Sequence, residues 1–319
     1  MVFISRKKIK DTYQYYIEHS FRLPNGKIKK ISIYLKDYDP KKERGIIKKY
    51  TAVLKDKEKE LLIKFAGDYY KPSYIFKKEL IQKLEEIKVN YHKLIKKLTK
   101  QQLKDVLDRF TVNFIYESNA IEGNSLTLKD VTVVLHENVA IKGKDLRDIY
   151  ETKNTRLVVE LIFKNKFKIT KKDIINMHKL LVKDTGVALG FKKLPNYLLM
   201  RNVQTTAPEH VEKEMDKLIE WYHSNPKIHP LEKAAVFHSK FEKIHPFEDG
   251  NGRVGRMLIN IILLLNGYPP LIIRKTQRIS YFHALEAFDN GHEDKFKRFL
   301  IDKYKDTYKK FFEVYVKYI

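Results

Sequence analysis

The chain has 319 residues, with 64 Lys or Arg against 40 Asp or Glu and a formal net charge of +24; that length supports one large or two modest domains. No cysteine is present, which excludes a disulfide framework and thiolate metal sites. No apolar run has the length of a signal-peptide core or a membrane span, so the sequence reads as a cytoplasmic protein with no membrane partner. Residues 1–110 hold 29 Lys/Arg against 14 Asp/Glu, placing +15 of the charge in the first third. A basic region of this kind can attract nucleic acid or acidic proteins. Its lysines also interleave with Glu and Asp at helical spacing, as on ordinary solvated helix faces.

In chain order, residues 11–37 read as a β-hairpin. Tyr13, Tyr15 and Ile17, then Ile31, Ile33 and Leu35, alternate with other residues about an Asn25-Gly26 turn. Residues 41–66 read as a charged amphipathic helix broken by Gly67, Pro72 and Ser73, and a second helix covers about 74–98. Residues 1–98 thus form a small α+β region without a motif that assigns it a role.

From residue 99 the pattern is helical, giving a mainly α bundle over 99–319. One helix carries Leu103, Val106, Leu107, Phe110, Phe114 and Ile115 on its buried side and ends in Ser118-Asn119-Ala120-Ile121-Glu122-Gly123. Gly123 suits a C-cap, whereas Glu122 puts an anion at the unfavourable end of the helix dipole. Thr127, Asp145 and Thr170 are N-caps of three further helices. His178 falls at a core edge of the third. Residues 184–206 interrupt the rhythm with Gly186, Gly190, Pro195 and the extended run Tyr197-Leu198-Leu199-Met200. Glu209–Ser224 returns to an amphipathic helix.

The chemically dense stretch is His245-Pro246-Phe247-Glu248-Asp249-Gly250-Asn251-Gly252-Arg253-Val254-Gly255-Arg256. A helix enters it and stops before Pro246; a helix apolar nearly all round leaves it and belongs in a core. Gly250 and Gly252 let backbone N–H groups approach a ligand at a helix N-terminus, an anion site. Arg253 and Arg256, three residues apart, suit phosphate oxygens. Asp249 is a hard oxygen donor of the type Mg²⁺ takes. His245 titrates near neutrality and can accept a hydroxyl proton. Farther on, helices cover 278–290 and 293–317.

These twelve residues match every fixed position of the Fic signature, His-x-Phe-x-Asp/Glu-Gly-Asn-Gly-Arg-x-x-Arg, and the chain resembles that family over about residues 100–305. The resemblance implies a Fic-type all-α bundle with a short β-hairpin flap at about 190–206. It also implies Mg²⁺-dependent transfer of AMP from ATP to a Ser, Thr or Tyr hydroxyl of a target protein, and of the protein itself. In those terms His245 is the base, Asp249 the metal ligand, and Gly250, Asn251 and Gly252 the anion hole. Arg253 meets the γ-phosphate, Arg256 the inner phosphates, and Phe247 anchors the loop. Ser118, Glu122 and Gly123 fit the inhibitory motif of self-restrained members, which makes 99–124 an inhibitory helix with Glu122 pairing to Arg253. Phe282 and Asp289 fall at the adenine pocket; the family's Asn is replaced there by Asp289, which cannot donate to a ring nitrogen when ionised. Members often dimerise, so a homodimer is among the expected partners.

Other readings stay open, transfer of a nucleotide other than AMP among them. Glu122 can orient water for the reverse reaction, removal of AMP. The basic residues 1–110 can instead serve a nucleotide-gated adaptor that binds nucleic acid or protein.

Overall fold

The structure is a computed structural model and describes residues 2–137, 139–198 and 203–317. The chain divides into two compact units, Met1–Val89 and Asn90–Ile319. In the first, strands β1 (Val2–Ile9), β2 (Thr12–Arg22) and β3 (Ile28–Leu35) form an antiparallel meander in chain order. The hairpin expected over 11–37 is therefore its second half. β1 escaped notice because Arg6, Lys7 and Lys8 mask its short apolar alternation. The Asn-Gly turn forms as read, with Gly26 at φ 82° and the Lys27 N–H donating to Asn25 Oδ1. Ile17, Phe21, Ile31 and Leu35 alternate to one face of the sheet and bury against Leu54 of helix α1 (Glu43–Tyr69).

α1 runs through Gly67 instead of ending there. A Cβ at Gly67 would stand 3.0 Å from Gln82 Cγ of α2 (Lys78–Ile95). The glycine serves close helix packing, and its cost of about 1 kcal/mol relative to Ala is accepted within the helix.

The second unit is helical: α3 (Lys100–Ile121), α4 (Leu128–His136), α5 (Leu146–Phe163), α6 (Lys171–Leu181), α7 (Pro208–Ser224), α8 (Pro230–Ile244), α9 (Asn251–Leu265), α10 (Arg278–Asp289) and α11 (Glu293–Thr307). Thr127, Asp145 and Thr170 each cap a helix through the side chain, as their positions before apolar-periodic runs predict, and Thr99 caps α3 in the same way. α8 and α9 are buried on nearly every side and form the centre of the unit. The helix expected over 293–317 is interrupted by a π-helical turn at Tyr308–Phe312 before α12 (Glu313–Lys317). There the aromatic ring of Phe312 packs at 5.0 Å from Tyr91 and 5.7 Å from Phe110. Among the described residues no helix is long and apolar enough to cross a membrane.

Candidate functional site

The stretch between α8 and α9 is shaped first by Pro246, which has no N–H and forces its predecessor out of the right-handed region. His245 takes the left-handed conformation, φ 50° and ψ 60°, as the C-cap of α8. For a non-glycine residue that costs about 1–2 kcal/mol. Its Nδ1 lies 3.3 Å from the Glu242 carbonyl. A carbonyl only accepts, so Nδ1 carries the hydrogen and Nε2 keeps the lone pair that a base requires.

The loop after it is pinned at several points. Asn251 Oδ1 accepts from the Phe247 N–H at 2.9 Å while its Nδ2 donates to the Phe247 carbonyl at 2.8 Å. Asn196 Nδ2 donates to that carbonyl as well, at 2.9 Å, and the Lys192 N–H donates to the Pro246 carbonyl at 2.8 Å. The Phe247 ring is fully buried and stacks on His178, centroids 3.8 Å apart and planes within 3°. His178 Nε2 in turn donates to the Asp249 carbonyl at 3.0 Å. Burial, helped by the nearby charge of Arg253, pushes the His178 pKa down to about 4, against the pull of that carbonyl bond. The imidazole is therefore a neutral donor that shapes the loop.

The start of α9 has the geometry to receive an anion. Gly250 caps it at φ 82° and supplies no side chain to its first N–H groups, which leaves them for a ligand. Asn251 contributes only its backbone N–H there, since its side chain clamps Phe247. A carboxylate already lies over this turn: a Cβ on Gly252 would fall 2.0 Å from Glu122 Oε1.

Both arginines are buried, each 2% exposed. Arg256 donates to Ser118 Oγ (3.0 Å) and the Ser118 carbonyl (2.8 Å), and its Nη2 pairs with Glu122 Oε1 at 2.7 Å. The resemblance had assigned Glu122 to Arg253; the pair it forms is with Arg256. Residues three apart on a helix differ by about 60° around its axis. That rotation turns Arg256 to the end of α3, where Ser118 and Glu122 share one side, and Arg253 to α5. Arg253 instead meets Glu151 Oε1 at 3.0 Å and Asp249 Oδ2 at 3.5 Å. Arg147 closes the set by bonding both Asp249 and Glu151. Three carboxylates and three guanidiniums thus balance. Burial works against the charge on Arg256, but Glu122 outweighs it and the pKa ends above the ordinary value. Arg253 Nε and Arg256 Nη1 are buried with no hydrogen-bond acceptor among the described residues. Each such donor costs about 1–3 kcal/mol, which an anionic ligand would recover.

In the expected flap the described residues form an antiparallel bridge, Tyr197 to Gln204; Leu199 and Met200 of the extended run lie outside the described residues. At its base Lys192 Nζ donates to Asn196 Oδ1 (2.7 Å) and Thr205 Oγ1 (3.0 Å), and burial lowers its pKa to about 8. Phe282 stands with the Arg278 guanidinium 5.4 Å over its ring, and Arg278 Nε donates to the Ile121 carbonyl beside Glu122. Asp289 lies two turns along the same face of α10. Glu151, Arg147, His178, Asn196 and Lys192 are site residues that sequence reading missed. The signal for the first two was an i, i+4 pair on α5, indistinguishable from a surface ion pair until its burial is seen.

Among known proteins, residues 168–263 match the Fic/DOC family. The protein adenylyltransferase Fic of Drosophila virilis is 34% identical over 193 residues, 59% of this chain and 40% of that one. The protein of the same name from Nematostella vectensis is 34% identical over 192 residues, 58% and 45% of the two chains. The chain thus spans less than half the length of these curated relatives. A Fic domain-containing signaling protein from Bacteroides thetaiotaomicron superposes with a TM-score of 0.64 at 25% identity, over 72% of this chain and 96% of that one. Fic-1 of C. elegans shares the fold, with a TM-score of 0.62 at 22% identity over 76% and 78%. The signature loop and the first turn of α9 lie within residues 168–263, the stretch that matches the Fic/DOC family.

Proposed function

We propose that the protein transfers AMP from ATP to a Ser, Thr or Tyr hydroxyl of a target protein, restrained by Glu122. One observation carries this reading: the Glu122 carboxylate occupies the N-terminal turn of α9 and the guanidinium of Arg256, where a phosphate would sit. Its removal would free the α9 N–H groups, Arg256 and the unsatisfied donors of both arginines for a triphosphate. His245 Nε2 then takes the proton of the target hydroxyl, whose oxygen bonds to the α-phosphorus as the bond to the bridging oxygen breaks. Pyrophosphate leaves with the electron pair of that bond, one negative charge more than it carried in ATP, balanced by the proton now on His245. With Glu122 in place, a nucleotide must hold its phosphates away from Arg256, and in-line geometry is lost.

Among the described residues no cluster of three or more His, Cys, Asp or Glu stands ready for a metal ion. A Mg²⁺ shared with phosphate oxygens needs only one or two carboxylates. Asp249 fits that part once it turns from Arg147 and Arg253, and the ion when bound would offset phosphate charge. Phe282 and Asp289 are assigned to the base, with Asp289 accepting from the adenine amino group.

Incubation with α-labelled ATP and Mg²⁺ tests the proposal. Glu122→Gly is expected to raise labelling of the protein itself or of a lysate protein at least ~10-fold, the scale of one lost ground-state restraint of about 1.4 kcal/mol. His245→Ala in that background is expected to abolish it. No label with Glu122→Gly would overturn the proposal. The same carboxylate supports a second reading, water activation for removal of AMP, which gains if Glu122→Gly stops release of AMP from a pre-modified target.

A further inference from the structure

A groove of about 480 Å³ runs beside the returning limb of the flap, between α7 and α8. That size is typical of ligand clefts, about 300–1,000 Å³. Its apolar floor is Leu218 and Trp221 of α7 and Ile244 of α8. Its rim carries Lys217, Lys240 and Lys243, with Glu214 the carboxylate among the lining residues. Glu214 is already matched to Lys217 at 2.6 Å. Lys240 and Lys243 are exposed and, among the described residues, pair with no carboxylate. The Lys240 ammonium instead sits 5.1 Å from the centre of the Trp221 ring.

The groove abuts the flap and the residue that precedes His245. Thr205 and Thr206 of the flap line it, and the Thr206 N–H bonds the Lys243 carbonyl at 3.4 Å. Ile244, on its floor, directly precedes His245.

We propose that this groove receives an acidic, extended segment of the target protein next to the modified hydroxyl. An apolar side chain would rest on Trp221, Leu218 and Ile244, with carboxylates meeting Lys240 and Lys243. The proposal rests on the transfer reading for its biological sense. Its test does not, because Trp221 is the single tryptophan of the chain and reports occupancy without catalysis.

Synthetic peptides carrying one Thr and one Leu, flanked by Asp/Glu, by Asn/Gln or by Lys, would be titrated against the full chain while Trp221 emission is followed. The acidic peptide should give a saturable change that weakens with added salt. Lys240→Glu with Lys243→Glu should weaken it about tenfold, two exposed charge reversals each being worth a few-fold, and should favour the Lys-flanked peptide. Unaltered thermal melting of the variant controls for folding. Equal response to all three peptides, or an unchanged order in the variant, overturns the proposal. A larger response to a duplex oligonucleotide than to the acidic peptide overturns it also, in favour of a nucleic-acid surface. A peptide response without any AMP transfer by Glu122→Gly would keep the groove and remove the transfer reading.

Discussion

Replacing Gly252 by alanine tests whether a carboxylate lies on the first turn of α9. The backbone tolerates a methyl group, since Gly252 is helical and not at positive φ. The obstacle is Glu122, whose Oε1 and Cδ would stand 2.0 and 2.8 Å from the new Cβ. A flexible side chain can move aside, so the steric cost is small and the lost pairing decides the outcome. Depriving a buried ion of its partner costs about 3–5 kcal/mol. Glu122 is 32% exposed and Arg256 keeps both acceptors of Ser118, which reduces the loss to about 2 kcal/mol. Alanine in place of helical glycine returns at most about 1 kcal/mol. Gly252→Ala should therefore destabilise by about 1–2 kcal/mol in the native background, and be neutral or stabilising in Glu122→Ala, where Arg256 Nη1 at 3.0 Å is the remaining neighbour. Urea unfolding of the four proteins, followed at Trp221 in the helical unit, gives the coupling, expected at about 2 kcal/mol. Additivity within about 0.5 kcal/mol would refute the placement of Glu122.

Gly255→Ala should behave differently, because its Cβ would meet Glu242 Oε1 at 2.6 Å and the His238 ring at 2.8 Å, inside the core; a loss of about 2–3 kcal/mol is expected in either background, measured by the same urea midpoints. Asn251→Ala removes both side-chain bonds to Phe247 and should cost about 2 kcal/mol, a fall in melting temperature of roughly 4–8 °C for a unit of this size. His178 stays neutral to about pH 4 when folded, against 6.5 unfolded, so the unfolded chain binds more protons in that window and its contribution, full above pH 6.5, is lost as pH falls toward 4. The expected loss is about 3 kcal/mol; His178→Phe, which can keep the stack on Phe247, should flatten stability between pH 7 and 4.5 in calorimetry.

Helix starts were legible because each is a local matter: Thr127, Asp145 and Thr170 accept from N–H groups two or three residues on, whatever the tertiary structure. The signature loop was legible for a similar reason, since Pro246, Gly250 and Gly252 restrict the chain by themselves. What sequence could not supply was direction around a helix axis. Arg253 and Arg256 carry the same group three residues apart, and only the approach of α3 and α5 decides which carboxylate each meets. His178 and Glu151 were hidden likewise. A histidine at a core edge and a glutamate four residues after an arginine are ordinary until distant segments, Asp249 for one and Arg253 for the other, arrive beside them. β1 was missed because three consecutive basic residues outweigh Val2, Phe3 and Ile4 in any short window.

Under the proposed restraint by Glu122, the way Arg256 is held limits how that restraint can be lifted. One stretch of α3 offers it three grips: the Ser118 hydroxyl, the Ser118 carbonyl and the Glu122 carboxylate. Unwinding that stretch would discard the aim of the guanidinium together with the brake. Activation by melting α3 thus yields a site that is open and slack. Only a swing of the Glu122 side chain, on a backbone that stays put and ends at the glycine behind it, releases the brake and leaves the arginine aimed.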